Sequence, residues 1–282
     1  MAVGELVDGE RGFARSTDGT PIGLLSAGTG PPLLLVHGGL SGIQRWAPLW
    51  KLLTPHFTVT AMDRRGRGSS GDAPDPADYA LEREFDDVSA VVEALAAASG
   101  RPVDVFGHSL GAVCALGAAG RAAPVGRLVL YEPPGPPTVS ADWLRRLHSS
   151  IDAGHSGLAV ASYLVEVIGL TRERVNELRE QTLQAGAGAG VDDVLAVASR
   201  TLVREAEALT ALDLAALADG VRQPVRFLLG TASPPWAAEV TGLLAEQLPG
   251  AEIEALDGEG HEAVDGAPHR VAEALLRLIT KE

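Results

Sequence analysis

Gly107-His108-Ser109-Leu110-Gly111 is the stretch that decides the fold. It follows the apolar run Val103-Asp104-Val105-Phe106 and precedes Ala112–Ala119, which reads as a helix. G-x-S-x-G between a strand and a helix sets its serine on a tight turn. Larger side chains two residues to either side would collide there, so glycine stands at 107 and 111. The turn lifts the Ser109 hydroxyl above the sheet edge, where the helix N-terminus adds positive potential. Ser109 is therefore the candidate nucleophile, set against the plainer reading of a glycine-rich turn.

Outward from this turn, strands alternate with helices. Gly12–Ser16 and Pro21–Ala27 read as antiparallel strands around the turn dipeptide Asp18-Gly19. Pro32–Val36 is a short continuous apolar run, which suits a strand buried on both faces. A short helix at Trp46–Leu53, a strand at Phe57–Met62 and a helix at Leu81–Ala98 follow. Leu128–Tyr131 is a strand, and Pro133, Pro134, Pro136 and Pro137 then mark a boundary. From Ser140 to Leu217 the patterning is helical, interrupted by three Ala-Gly repeats at Ala185–Gly190 that read as a loose connection. Alternation resumes with strands at Val225–Leu229 and Ala251–Leu256, and helices at Trp236–Gln247 and Pro268–Leu278. This order predicts an α/β fold with a mostly parallel sheet. The expected division is a core of residues 1–134 and 218–282, with a helical insertion at 135–217.

Composition narrows the class. The 282 residues carry 23 Lys+Arg against 37 Asp+Glu, a net charge of −14. That disfavours nucleic acid and anionic membranes as partners. Cys114 is the single cysteine, so a disulfide framework or a multi-cysteine metal site is excluded. The N-terminal MAVGELVDGERG lacks a basic and an apolar signal region, and no apolar stretch is long enough to span a membrane. A cytoplasmic protein acting on a small molecule is the expectation, and self-association is compatible with it.

Two further motifs carry chemistry. His37-Gly38-Gly39-Leu40 follows the buried strand. An oxyanion hole needs two backbone N–H groups aimed at one point. Leu110, after the candidate nucleophile, supplies one, and Gly39 the other. His37 itself reads as structural, bonded to neighbouring backbone. Gly258-Glu259-Gly260-His261-Glu262 follows a late strand, which is where the chain order Ser…Asp/Glu…His places its base. His108 reads as packing, and His56, His148, His155 and His269 as ordinary histidines.

Taken together, these features resemble the α/β-hydrolase-fold serine hydrolases that carry a helical cap. The resemblance rests on His37-Gly38-Gly39, the loop Asp63-Arg64-Arg65-Gly66-Arg67-Gly68-Ser69, the Ser109 turn and Gly260-His261, and covers Gly12–Leu278. In such proteins the Asp63–Ser69 loop is structural. The departure is the triad acid, which the family places after the penultimate strand. Here that stretch is Gly230-Thr231-Ala232-Ser233-Pro234-Pro235-Trp236, with serine where aspartate is expected. A histidine base needs an acceptor on its other nitrogen. Glu132, ending the strand Leu128–Tyr131, is the replacement, as in certain haloalkane dehalogenases that take the acid from that strand. A turn-capping role for Glu132 and a Ser–His dyad oriented by water or backbone are the alternatives, because Asp257 and Glu259 lie too near His261 in sequence.

A serine nucleophile points to acyl transfer, in contrast to relatives that use aspartate. The expected activity is hydrolysis of a small to medium apolar carboxylic ester or related acyl compound by Ser109, His261 and Glu132. No metal or organic cofactor is expected. Cyclisation or transacylation, C–C bond hydrolysis, and a lapsed binding protein of the same fold are the competing readings. In the insertion, Leu144, Tyr163, Leu164, Ile168, Val194 and Leu202 either line an acyl pocket or form the insertion's own core. Trp236 and Cys114 read as packing residues.

Overall fold

A computed structural model describes residues 8–73, 75, 78–121, 123–185 and 191–280. The Ala-Gly repeats at 186–190, the first seven residues and the Val194 side chain lie outside the described set. Eight strands form one sheet: β1 (Glu10–Arg15), β2 (Pro21–Ala27), β3 (Pro32–Val36), β4 (Thr58–Met62), β5 (Val103–His108), β6 (Val125–Tyr131), β7 (Val225–Gly230) and β8 (Glu252–Leu256). Their order is β1-β2-β4-β3-β5-β6-β7-β8. β2 runs antiparallel to β1 and β4, and every other pairing is parallel.

The sequence explains why the sheet is buried on both faces. All five residues of β3 are buried. Successive side chains of a strand point to opposite faces. Leu34 and Val36 accordingly join Val105, Leu128 and Leu130 in one apolar layer. Leu33 and Leu35 join Phe106, Val129 and Tyr131 in the other. The first layer is completed by α2 (Leu81–Ser99) and α3 (Leu110–Ala119), the second by α1 (Ala47–Leu53) and α11 (Pro268–Thr280).

Between β6 and β7 the described residues form helices and no strand: α4 (Ala141–Asp152), α5 (Ser156–Ser162), α6 (Arg172–Ala185), α7 (Val191–Thr210) and α8 (Leu214–Ala218). A π-helical turn, Tyr163–Val167, extends α5. Helix α8 crosses the expected boundary at 217. It is followed, after β7, by α9 (Pro235–Gln247), and α10 (Ala263–Gly266) precedes α11.

Several boundaries differ from the sequence reading. β1 begins at Glu10 rather than Gly12, because its pairing with β2 runs from Glu10↔Ser26 to Arg15↔Pro21. The segment before α1 is a separate 3-10 turn, Ile43–Trp46, ahead of the proline at the helix's second position. Helix α3 starts at Leu110, directly after the turn, rather than at Ala112.

Strand order positions the site. β4 lies on one side of β3 and β5 on the other, so the connections reverse direction between β3 and β5. Open α/β sheets bind ligands beyond the carboxyl ends of their strands at such a reversal. The loop after β3 and the turn after β5 meet there in close contact. A Cβ on Gly111 would sit 2.1 Å from the Val36 carbonyl oxygen and 2.6 Å from that of His37. A Gly111→Ala variant should therefore lose about 1–3 kcal/mol of stability. Gly242→Ala, in α9 with open space around it, should gain about 0.5–1 kcal/mol. Urea unfolding midpoints test the contrast, and equal midpoints would contradict the packing described.

Candidate active site

Ser109, Glu132 and Leu40 are the non-glycine residues with positive φ among those described, at 56°, 48° and 50°. Each lies just beyond the carboxyl end of a central strand. Such backbone is costly outside glycine and persists where surrounding contacts impose it. At Ser109 the contacts are visible. Its N–H donates to the Tyr131 carbonyl at 2.8 Å, and its own carbonyl accepts from Ala112 N–H at 2.8 Å. The side chain stands at the N-terminus of α3 and is buried.

Glu132 and His261 meet. Glu132 Oε2 accepts from His261 Nδ1 at 2.6 Å, and both side chains are buried. Glu132 Oε1 accepts from Gly230 N–H at 2.7 Å and from the Ser233 hydroxyl at 2.6 Å. The carboxylate thus takes three donors, which a buried charge requires. Ser233, at the position where aspartate was expected, is one of them. With Nδ1 donating, the neutral His261 ring has a bare Nε2. That atom is buried and without a hydrogen-bond partner among the described residues. Ser109 Oγ and His261 Nε2 are not hydrogen-bonded to one another, and catalytic hydrogen bonds commonly tighten only with substrate in place.

Surrounding contacts hold the His261 loop. Tyr131 Oη donates to the Gly260 carbonyl at 2.6 Å, and His108 Nε2 donates to the His261 carbonyl at 3.0 Å. Trp236 packs edge-on against the His261 ring at 5.2 Å, and its Nε1 donates to the Val167 carbonyl at 2.7 Å. Arg45 pairs with Glu262 and Asp265 on the loop's far side.

The loop after β3 is anchored with equal care. A Cβ on Gly38 would meet Ser109 Cβ at 2.8 Å, so only glycine allows this approach. The Gly38 carbonyl accepts from His37 Nδ1 at 2.9 Å and from Arg64 Nη1 at 3.1 Å. In a trans peptide the C=O and N–H of one unit point opposite ways. These two donors therefore turn the Gly39 N–H to the other side of the loop. His37 Nε2 accepts from the Arg64 backbone N–H at 3.1 Å, which fixes the tautomer. Arg64 is buried and held by both oxygens of Glu84 at 2.7 Å and by Glu205 Oε1 of α7 at 2.7 Å. Arg67 also reaches Glu205 Oε1. The guanidinium of Arg64 pulls the Glu84 carboxyl, despite its burial, down to about 2.

A narrow cavity of about 20 Å³ lies between these loops and the inserted helices. Gly39, Ser109 and Leu110 line its floor, and Trp143, Tyr163 and Leu202 are among its walls. Of the insertion's apolar candidates, Tyr163, Ile168 and Leu202 reach the cavity, whereas Leu144 packs against the core. Cys114 is buried behind it, its thiol pushed up by burial. Among the described residues no cluster of His, Cys, Asp and Glu is arranged to hold a metal. The sequence reading missed Glu205 and its pairing with Arg64. The Asp63–Ser69 loop flagged Arg64, but nothing local pairs it with a residue 141 positions away.

Comparison with known proteins agrees with this architecture. A profile described as the alpha/beta hydrolase family matches residues 33–274, and the chain belongs to that family. The crystal structure of an alpha/beta hydrolase from Sphaerobacter thermophilus is similar, with TM-score 0.77 and 33% identity over 95% of this chain and 100% of that one. A thermophilic esterase from Thermogutta terrifontis shares the fold, with TM-score 0.71 and 21% identity over 96% of this chain and 98% of that one. N-formylmaleamate deformylase from Pseudomonas putida is 38% identical over 108 residues, 38% of this chain and 39% of that protein. The match thus spans well under half of that curated relative's length.

His37 and His108 are both held well below the ordinary histidine range, first by burial. The unfolded chain protonates near pH 6.5, whereas the native rings stay neutral. The unfolded state then binds more protons, so stability is lost as pH falls below 6.5. Each ring contributes a slope of about 1.4 kcal/mol per pH unit. His108→Gln, which keeps a donor for the His261 carbonyl, should remove one ring's share, half of the slope the two rings contribute together, between about pH 6.5 and 5. Chemical unfolding across that range checks it, and an unchanged slope would refute the assignment.

Proposed function

We propose that this chain is a serine hydrolase of a carboxylic ester or related acyl compound, working through an acyl-enzyme on Ser109. The observation that carries the reading is the His261–Glu132 contact at 2.6 Å, with Gly230 and Ser233 completing the carboxylate's partners. It supplies the base with the orienting acid that the position-233 serine cannot be. The strained turn at Ser109 and the bare Nε2 of His261 support the same reading.

The chemistry follows from the groups in place. Ser109 Oγ attacks the carbonyl carbon while its proton passes to His261 Nε2. The carbonyl oxygen becomes an oxyanion, met by the N–H groups of Gly39 and Leu110. Glu132 stabilises the imidazolium through Nδ1. Collapse breaks the bond to the leaving group, which departs with the proton from Nε2. Water then attacks the acyl-enzyme, gives its proton to His261 and releases the acid, and that proton returns to Ser109. Helices α4–α8, which fall in the expected insertion 135–217 apart from the last residue of α8, serve in this reading as a cap that closes an apolar pocket above the nucleophile. The esterase fold neighbour and the deformylase relative are consistent with acyl chemistry.

Mass spectrometry after treatment with a fluorophosphonate should find a single adduct on Ser109. Glu132→Gln should fold normally and lower turnover on the order of 10³–10⁴-fold. The amide cannot accept from Nδ1 while also presenting an oxygen to Gly230 and Ser233 without one donor meeting its NH₂. Activity within a few-fold of the parent chain would sink the role given to Glu132.

A further inference from the structure

One polar feature of the cavity has no part in the acyl-enzyme chemistry. Glu205 is a buried carboxylate in its wall. Its Oε1 is taken by Arg64 and Arg67. The hydrogen bonds that Glu205 makes to described residues end on Oε1, and Oε2 is not among the fully buried orphaned atoms, so it opens to the cavity. That oxygen lies 3.3 Å from the point where a Cβ on Gly39 would sit, and so does the Tyr163 hydroxyl. Both oxygens therefore lie close to Gly39 on the cavity wall.

We propose that this is a substrate subsite: Glu205 Oε2, with Tyr163 beside it, accepts a neutral hydrogen-bond donor, an O–H or amide N–H, carried a few bonds from the scissile carbonyl. The inference rests on the acyl-enzyme reading and names the substrate class it takes. The physical reason is desolvation. A substrate filling the cavity strips water from Oε2, and a buried carboxylate oxygen left bare is costly. A plain acyl chain leaves it bare, whereas a hydroxyl or amide restores the bond. Sites built on such polar groups reject analogues that lack the matching donor.

Charge decides which donor. The guanidinium groups of Arg64 and Arg67 face the carboxylates of Glu84 and Glu205, so the cluster is neutral as a whole. An ammonium group finds no net negative field there, and a carboxylate meets the lone pairs of Oε2. A neutral donor is favoured over both. Trp143 supplies a further indication. Its ring lines the same cavity, and its Nε1 is buried without an acceptor among the described residues. A hydroxyl or carboxamide both donates and accepts, so it suits a wall that presents an acceptor and a donor. Tyr163 sits in the π-helical turn, an irregularity frequent at functional positions. Burial and the nearby Glu205 push its phenol up, so it stays protonated and able to donate.

The test is a matched panel of methyl esters given to the full chain: butyrate, its α- and β-hydroxy derivatives, β-aminobutyrate and hemisuccinate. At least one hydroxy ester should exceed butyrate in kcat/KM on the order of 10- to 100-fold. The amino and carboxylate esters should fall below it. Glu205→Gln and Tyr163→Phe should each shrink the hydroxy-to-plain ratio. A purely structural role would lower all esters together and leave the ratio intact. Should Glu205→Gln fail to fold, Tyr163→Phe decides alone, since it removes one oxygen at the cavity wall. A flat ratio in the parent chain, or a ratio untouched in the folded variants, overturns the subsite. So does fluorophosphonate labelling of Ser109 without turnover of the hydroxy esters, and in each of these cases the acyl-enzyme reading stands. No labelling and no turnover overturns both.

Discussion

A fully buried carboxylate, Glu132, is the constraint around which the carboxyl edge of the sheet is arranged. A charge without water must be met by donors, and three converge on it. They come from the end of β7, the loop after it and the loop after β8. One side chain at the end of β6 thus sets the spacing of three successive strand ends. Its neighbour Tyr131 adds the rest: its carbonyl holds Ser109 N–H, and its hydroxyl holds Gly260. Two adjacent residues therefore locate Ser109 and His261 relative to one another.

A second buried charge cluster does similar work on the other side of Ser109. Arg64 holds the Gly38 carbonyl and is itself held by Glu84 of α2 and Glu205 of α7. The orientation of the Gly39 N–H is thereby linked to the inserted helices as well as to the core. An isolated pair buried this deeply gains little net stability, because desolvation offsets attraction. What such a cluster does provide is a single arrangement of the groups it joins, and here those groups border the cavity.

The fold was legible because its signals are local. The apolar run Leu33–Val36, the glycines flanking Ser109 and the alternation of strands with helices each fit within a short window, and together they define a doubly covered parallel sheet. Ser109, His261 and the glycines at 38 and 39 were legible for the same reason: each follows a recognisable strand. Glu132 was an expectation drawn from the missing carboxylate near Ser233, its place at the end of a strand and the resemblance to relatives that take the acid there, and its three partners come from distant loops. The pairing of Arg64 with Glu205 was beyond reach. It joins a core loop to an inserted helix, and no spacing in the chain encodes it. Helix α3 begins at Leu110 rather than Ala112 because the turn itself, not helix propensity, starts it.

The serine at 233 and the glutamate at 132 are best understood as one choice rather than two. Ser233 Oγ lies 2.6 Å from Glu132 Oε1. An aspartate at 233 would bring a second carboxylate to that oxygen, and two like charges at hydrogen-bond distance cannot both stay ionised. One would be protonated, and the acceptor offered to His261 would be weakened or displaced. A serine removes the conflict and converts the same position into a donor. In the proposed reading, an acid placed after β6 requires the position after β7 to give up its charge. The departure from the family pattern that first put the site in doubt is, in physical terms, a condition for the site as it stands.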